Sequence, residues 1–385
     1  MNPFEFELRT HVVCGPGKIA ELATILEKDS FKDIAVVIDE AVKNNNEITS
    51  ALDKCKEKGI AVHVFSNPVA EPDYDFLDEV TNNIRKHHAQ CIVGIGGGST
   101  LDLAKGVATL LTNEGPGISY RGFPQLKHKP LPVIAIPTTA GTGSEVTYNA
   151  VFTDSKEKRK LGINSKFNYP MHAILDPQLT LSCPPSVTVS SGMDALVHTL
   201  ESFAAKNATP YSKMFSREAF MLLYDHLIHI SEKPNDIMVR SNLLLGAHYA
   251  GVALMNSGGG PTGAMSYPLG ALFKVPHGIA GAVFLPKIVR FNCEHGYNGY
   301  NELFDMINGA DKTLSAEKKR LAFAQKIDYV CTILNVPKKL TVFGINRENV
   351  NLLIEPIFGK THAAVEQNPI PMKREDMEKI IDGML

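Results

Sequence analysis

The chain has no run approaching the ~20 consecutive apolar residues needed to span a bilayer. Its opening, Met1-Asn-Pro-Phe-Glu-Phe-Glu-Leu-Arg-Thr10, lacks the uninterrupted apolar segment of a signal peptide. A cytoplasmic protein without membrane contact is therefore expected. An excess of one charge is missing as well: 39 Lys and Arg face 41 Asp and Glu, a net charge of -2. Nucleic-acid backbones demand a basic patch, so nucleic acid is excluded as a partner. The densest charge run, Lys156-Glu-Lys-Arg-Lys160, is short, contains an acid, and reads as a solvated loop between strands. Cysteine is sparse, at positions 14, 55, 91, 183, 293 and 331, with no C-x-x-C pair. That excludes a zinc ribbon or a disulfide framework and fits reduced thiols. Internal repeats, low-complexity tracts and long linkers are absent too.

What is present is a chain of 385 residues, more than one compact core usually accommodates, so two domains are expected, 1–185 and 186–385. In the first, short Val/Ile-rich runs alternate with amphipathic segments. Ile34–Ile38, Ala61–Phe65, Cys91–Ile95 and Val133–Ile136 read as buried strands of a mostly parallel α/β sheet. Ligands of such sheets bind beyond the carboxyl ends of the strands. After Pro184-Pro185 the pattern changes to helices, with apolar residues at helical intervals in 216–230, 236–255, 316–334 and 374–382.

Three strand ends carry distinctive residues. Asp39 follows the first strand, where a carboxylate can accept hydrogen bonds from an adenosine ribose and repel a 2′-phosphate, favouring NAD over NADP. Gly94-Ile-Gly-Gly-Gly-Ser-Thr100 follows the third. Its glycines allow the backbone close to a pyrophosphate at the start of a helix that Ser99 is expected to cap. G-x-G-x-x-G is absent. Pro137-Thr-Thr-Ala-Gly-Thr-Gly-Ser-Glu-Val-Thr147 follows the fourth and offers hydroxyls and amides to phosphates and a nicotinamide amide. Each has a plainer reading as a turn or polar loop.

In Ser191-Gly-Met-Asp-Ala-Leu-Val-His-Thr-Leu-Glu201, Asp194 and His198 stand four apart, on one face of a helix, where a carboxylate and an imidazole can address one ion. An ordinary helix N-terminus capped by Ser191, with Asp194 in its first turn, would look the same. His172 and His295 lie in no motif and read as core or surface residues.

Taken in order, Gly96-Gly-Gly-Ser-Thr-Leu-Asp-Leu-Ala-Lys105, Pro137-Thr-Thr-Ala-Gly-Thr-Gly-Ser-Glu145, Gly192-Met-Asp-Ala-Leu-Val-His198 and Pro276-His-Gly278 resemble the iron-containing (group III) alcohol dehydrogenases. The likeness runs from Val13-Cys-Gly-Pro-Gly17 to Asn368-Pro369. The resemblance implies an α/β fold: an N-terminal, mostly parallel Rossmann-like domain, a C-terminal all-helical domain, and a cleft holding a nicotinamide beside a divalent metal, iron or zinc. It assigns Asp39, Gly97, Gly98, Ser99, Asp102, Thr138, Thr139, Thr142, Thr147 and Lys160 to the cofactor, NAD or NADP, and Asp194, His198 and His277 to the metal. A polar alcohol or aldehyde is the expected substrate and a homodimer the expected assembly.

The family's His-x-x-x-His is missing. Gly263 stands at the position of the third protein ligand and Tyr267 at that of the second histidine, in Asn256-Ser-Gly-Gly-Gly-Pro-Thr-Gly-Ala-Met-Ser-Tyr-Pro-Leu-Gly270. Three protein ligands with an open position still suit a catalytic ion. Tyr267 is a candidate for relaying the hydroxyl proton, or a wall residue. The glycine at 263 is expected to clear volume for a larger polar substrate. This variant stretch looks like the branch that oxidises the C8 hydroxyl of 3-deoxy-D-manno-octulosonate (Kdo). Two alternatives stay open: a metal-dependent lyase of the dehydroquinate synthase type that recycles NAD, and a non-catalytic nucleotide-binding member.

Overall fold

The structure is a computed structural model that describes residues 3–157, 159–359 and 362–385. Its strands are β1 (His11–Cys14), β2 (Asp33–Asp39), β3 (Ala61–Asn67), β4 (Cys91–Gly96), β5 (Val133–Pro137), β6 (Asn149–Asp154), β7 (Arg159–Asn164) and β8 (His172–Leu175). The first helices are α1 (Leu22–Lys28), α2 (Asn46–Glu57), α3 (Tyr74–Ile84) and α4 (Gly98–Thr112). They are followed by α5 (Pro185–Ala204), α6 (Pro210–His229), α7 (Ile237–Met255), α8 (Pro261–Phe273) and α9 (His277–Glu294), then five further helices.

Two compact units divide the chain: Leu8–Pro184 with Asn235–Leu244, and the segment ending at Glu7 with Pro185–Pro234 and Leu245–Leu385. The first contains a six-stranded sheet in the order β1-β8-β5-β4-β2-β3, every pairing parallel. Because successive strand residues point to opposite faces, Ile34, Val36 and Ile38 pack with Leu22, Leu26 and Ile48 on one side. Ala35 and Val37 pack with Tyr74, Leu77 and Val107 on the other. A sheet covered on both faces needs strands that are apolar throughout, which is why these runs were continuous in sequence.

After β3 the order reverses: β4 lies on the far side of β2, so the carboxyl ends of β2 and β4 flank the switch point where α/β sheets bind ligands. Of the charged run expected to form a loop, Lys156 and Glu157 lie in the connection of a separate antiparallel hairpin, β6–β7, Lys158 is outside the described residues, and Arg159 and Lys160 lie within β7 itself.

The second unit is helical. Pro185 opens α5, where proline's fixed φ and missing N–H are tolerated, so the helix starts six residues before Ser191. Ser191 is therefore not a cap, since its hydroxyl donates back to the Val187 carbonyl at 2.8 Å. Similarly α4 is entered from Gly97, with no side-chain cap, and Ser99 lies inside the helix. In both cases backbone amides begin the helix earlier than the hydroxyl residue that suggested its start.

All six cysteines are free thiols. Burial pushes Cys55 up to about 11 and Cys293 and Cys331 up to about 12, so these thiols stay protonated and inert at neutral pH. Among the described residues no helix is long and apolar enough to cross a membrane.

Candidate functional site

The sheet unit gathers its candidate residues at the switch point. The Thr138 amide donates to the Gly96 carbonyl at 2.9 Å, drawing the loop after β5 onto the glycine turn after β4. No side chain fits at Gly96 or Gly98 of this turn. A Cβ on Gly96 would stand 2.7 Å from Thr100 Cβ and 2.9 Å from Asp39 Cβ, and one on Gly98 would stand 2.5 Å from Thr142 Oγ1. Asp39, the glycine turn and Thr142 are thus immediate neighbours. The amides at the start of α4, with the helix dipole behind them, form an anion-binding end.

Exposure separates the ten cofactor candidates. Asp39, Gly97, Gly98, Ser99, Thr139 and Thr142 are partly open to solvent, whereas Thr138 and Thr147 are buried. Thr147 is turned inward: its carbonyl and hydroxyl accept from Lys105 Nζ at 3.3 and 3.5 Å. Asp102 is also committed inside, accepting from Ser144 Oγ at 2.6 Å and the Val151 amide at 2.9 Å, with Lys105 Nζ at 3.0 Å. Lys160 lies on the hairpin and pairs with Glu71 at 2.7 Å.

Sequence reasoning missed Lys105. It is 1% exposed, on the buried side of α4, and also donates to the carbonyls of Ser144 and Asn149. Burial pushes its ammonium below its ordinary range, while Asp102 and Glu145 pull the other way. A buried charge with this many acceptors fastens the loop after β5 to α4. The signal was a lysine on the apolar side of the helix, next to Ala104 and Ala108.

In the helical unit two helices, α5 and α9, bring Asp194, His198 and His277 together. A Cβ on Gly278 would lie 2.0 Å from the Ser190 carbonyl, and one on Gly281 would lie 3.4 Å from Val197 Cγ2, so glycines on α9 let it rest against the α5 backbone. His277, first residue of α9, thereby faces Asp194 of α5. Asp194 Oδ1 is 3.8 Å from His198 Nε2 and 3.9 Å from His277 Nε2.

A tetrahedral ion with 2.0–2.1 Å bonds holds its ligands about 3.3 Å apart, so this set is splayed by a few tenths of an ångström. Among the described residues no group of three or more His, Cys, Asp or Glu donors is closed to the spacing of a formed metal site. The chemistry nonetheless fits one. A buried carboxylate oxygen faces two imidazole nitrogens, and His198 Nδ1 is buried without a hydrogen-bond partner. The residues fit a divalent ion by donor type, and by spacing after a small inward movement.

Around them, Ser266 Oγ is 3.4 Å from His277 Nδ1, and the Tyr267 ring lies 5.4 Å from the His277 ring. The space beside Gly263 is not simply cleared, contrary to expectation. A Cβ there would approach Glu201 Oε2 to 3.3 Å. Glu201, also missed in sequence, accepts from the amides of Gly260 at 2.8 Å, Thr262 at 2.5 Å and Gly263 at 3.3 Å, closing the buried amino end of α8. Burial pushes its carboxyl upward and these amides draw it down. Its sequence signal was position: Glu201 falls three residues after His198 and seven after Asp194, on the same helical face.

Comparison with known proteins bears on both units. The family described as iron-containing alcohol dehydrogenase matches residues 9–177, and its C-terminal counterpart, the Fe-containing alcohol dehydrogenase family, matches residues 188–385. An NAD-dependent methanol dehydrogenase of Bacillus methanolicus is 29% identical over 377 residues, covering 97% of each chain. Among solved structures, an alcohol dehydrogenase from Oenococcus oeni gives a TM-score of 0.94 at 26% identity, covering both chains completely. A sulfoacetaldehyde reductase from Bifidobacterium kashiwanohense in complex with NAD+ gives 0.91 at 26% identity, covering 100% of this chain and 99% of the other.

Proposed function

The chain belongs to the iron-containing alcohol dehydrogenase family, and from that premise we propose that the sheet unit serves NAD while the helical unit serves a divalent metal and a polar hydroxylated substrate. The single observation that carries this is the convergence of Asp194, His198 and His277 from two helices onto one point. When bound there, the ion supplies Lewis acidity toward a substrate hydroxyl, and NAD supplies the hydride acceptor.

The chain's own residues divide the remaining tasks. Asp194 contributes the negative charge of the donor set and His198 and His277 the neutral imidazoles. Ser266 stands behind His277 and steadies its ring. Tyr267, beside His277, is placed to hold or pass the hydroxyl proton. In the sheet unit Gly97, Gly98 and Ser99 offer backbone amides to the pyrophosphate, and Asp39 offers its carboxylate to the adenosine ribose. Gly98→Ala is expected to raise the KM for NAD about tenfold or more, because ~1–3 kcal/mol of overpacking against Thr142 falls on the pyrophosphate turn. Steady-state kinetics alongside the melting temperature separate that effect from general unfolding.

For the substrate we infer a sugar acid, with Kdo oxidised at C8 as the specific proposal. Its supports are the likeness of residues 258–270 to that branch and the absence of a donor side chain at Gly263, so that the protein supplies the ion no ligand from that position. Turnover of Kdo with NAD, followed as NADH formation and set against short alkanols, tests it. Efficient oxidation of Kdo and poor oxidation of alkanols is expected, and the reverse order removes the proposal. Accumulation of NADH in step with product also distinguishes a dehydrogenase from a lyase that regenerates NAD.

A further inference from the structure

At the edge of the parallel sheet His11 of β1 and His172 of β8 stand side by side in register. Their Nδ1 atoms are 3.3 Å apart and their rings are nearly perpendicular, at 77°. His172 Nε2 lies 2.6 Å from Asp29 Oδ2, at the end of α1. We propose that His11 and His172, with Asp29 behind His172, form a second binding site for a divalent transition ion of the zinc type.

Three observations lead there. The carboxylate of Asp29 can only accept, so it fixes the proton of a neutral His172 on Nε2 and leaves the Nδ1 lone pair free. That lone pair points towards Nδ1 of His11. In the metal-free protein His11 satisfies it with an N–H; with the proton of His11 on Nε2 instead, two lone pairs face one point. Their 3.3 Å separation is that of two nitrogens on a tetrahedral ion, about 3.3 Å for bonds of 2.0–2.1 Å. Finally, a carboxylate hydrogen-bonded to the far nitrogen of a ligating histidine is the usual device for fixing such a ligand. The His172 side chain is 12% exposed and Asp29 16%, so both are held firmly, while His11 is exposed and gives the ion access to water for its remaining positions.

Two imidazoles suit zinc and bind copper(II) more tightly, following the usual order of divalent ions. A bound ion would tie the edge strand β1 to β8 and stabilise the sheet unit by mass action.

The test titrates holoenzyme, carrying its own ion in the helical unit, with Zn2+ by calorimetry and counts bound metal after dialysis. Wild type should take up one further equivalent per chain. His11→Ala should lose that equivalent with alcohol oxidation unchanged, and Asp29→Asn should keep the stoichiometry while binding about 10–100-fold more weakly. No further uptake by wild type, or equal uptake by His11→Ala, overturns the proposal. Should His11→Ala fail to fold, Cu2+ electron paramagnetic resonance on His277→Ala, whose first site keeps one imidazole only, decides: hyperfine structure from two imidazole nitrogens supports the site, and its absence overturns it.

Discussion

Asp194→Ala is expected to lose its divalent ion and roughly 10³-fold or more in kcat/KM. Lewis-acid stabilisation of a developing alkoxide is worth several kcal/mol, and each ~1.4 kcal/mol is tenfold in rate. Asp194 is the common element of the donor set, since its Oδ1 faces both His198 and His277. Without it the set falls from three protein donors to two and loses its charged member, so the ion is held far less tightly than before. Its side chain is 5% exposed, so circular dichroism and metal content belong beside the kinetics. A folded, metal-free, inactive variant is expected. A variant that keeps both its metal and its activity would show that Asp194 is only a buried acid near the start of α9.

Asp102→Ala is expected to destabilise the protein by roughly 3–5 kcal/mol, because breaking a buried pair leaves its partner charge uncompensated. The Lys105 side chain is wholly buried and Asp102 nearly so. The carboxylate also serves Ser144 Oγ and the Val151 amide, which would lose their acceptor in the interior. Since Asp102 and Lys105 together fasten the loop containing Thr139 and Thr142, NAD affinity should fall as well. The double variant Asp102→Ala/Lys105→Met should recover part of the stability lost in the single one, as it removes the stranded ammonium. Urea unfolding measures both. A loss below about 1 kcal/mol for the single variant would mean that the carbonyls around Lys105 suffice without the carboxylate.

These cases also mark what the sequence made legible. The central strands could be read because a sheet covered on both faces leaves continuous apolar runs, as in Ile34–Ile38 and Val133–Ile136. β1 and β8 are four residues each and lie toward one side of the sheet, too short to show a pattern. Pro184-Pro185 signalled a break, but proline at the first helical position begins a helix as readily as it ends one, which displaced the start of α5. Glycine loops and hydroxyl clusters announce themselves by composition. Which of these side chains is turned inward is another matter: Thr147 is buried because its carbonyl and hydroxyl meet a single lysine, whereas Thr142 stays partly open beside Gly98. Glu201 shows the same limit: its face could be counted from Asp194, yet the three amides that occupy it arrive from a helix some sixty residues away.

X-ray absorption at the metal edge of the holoenzyme tests the proposed donor set most directly. A first shell of light atoms with outer-shell scattering from two imidazoles is expected, falling to one imidazole in His277→Ala. Full activity from protein without metal, or a bound ion showing no imidazole scattering, would contradict it.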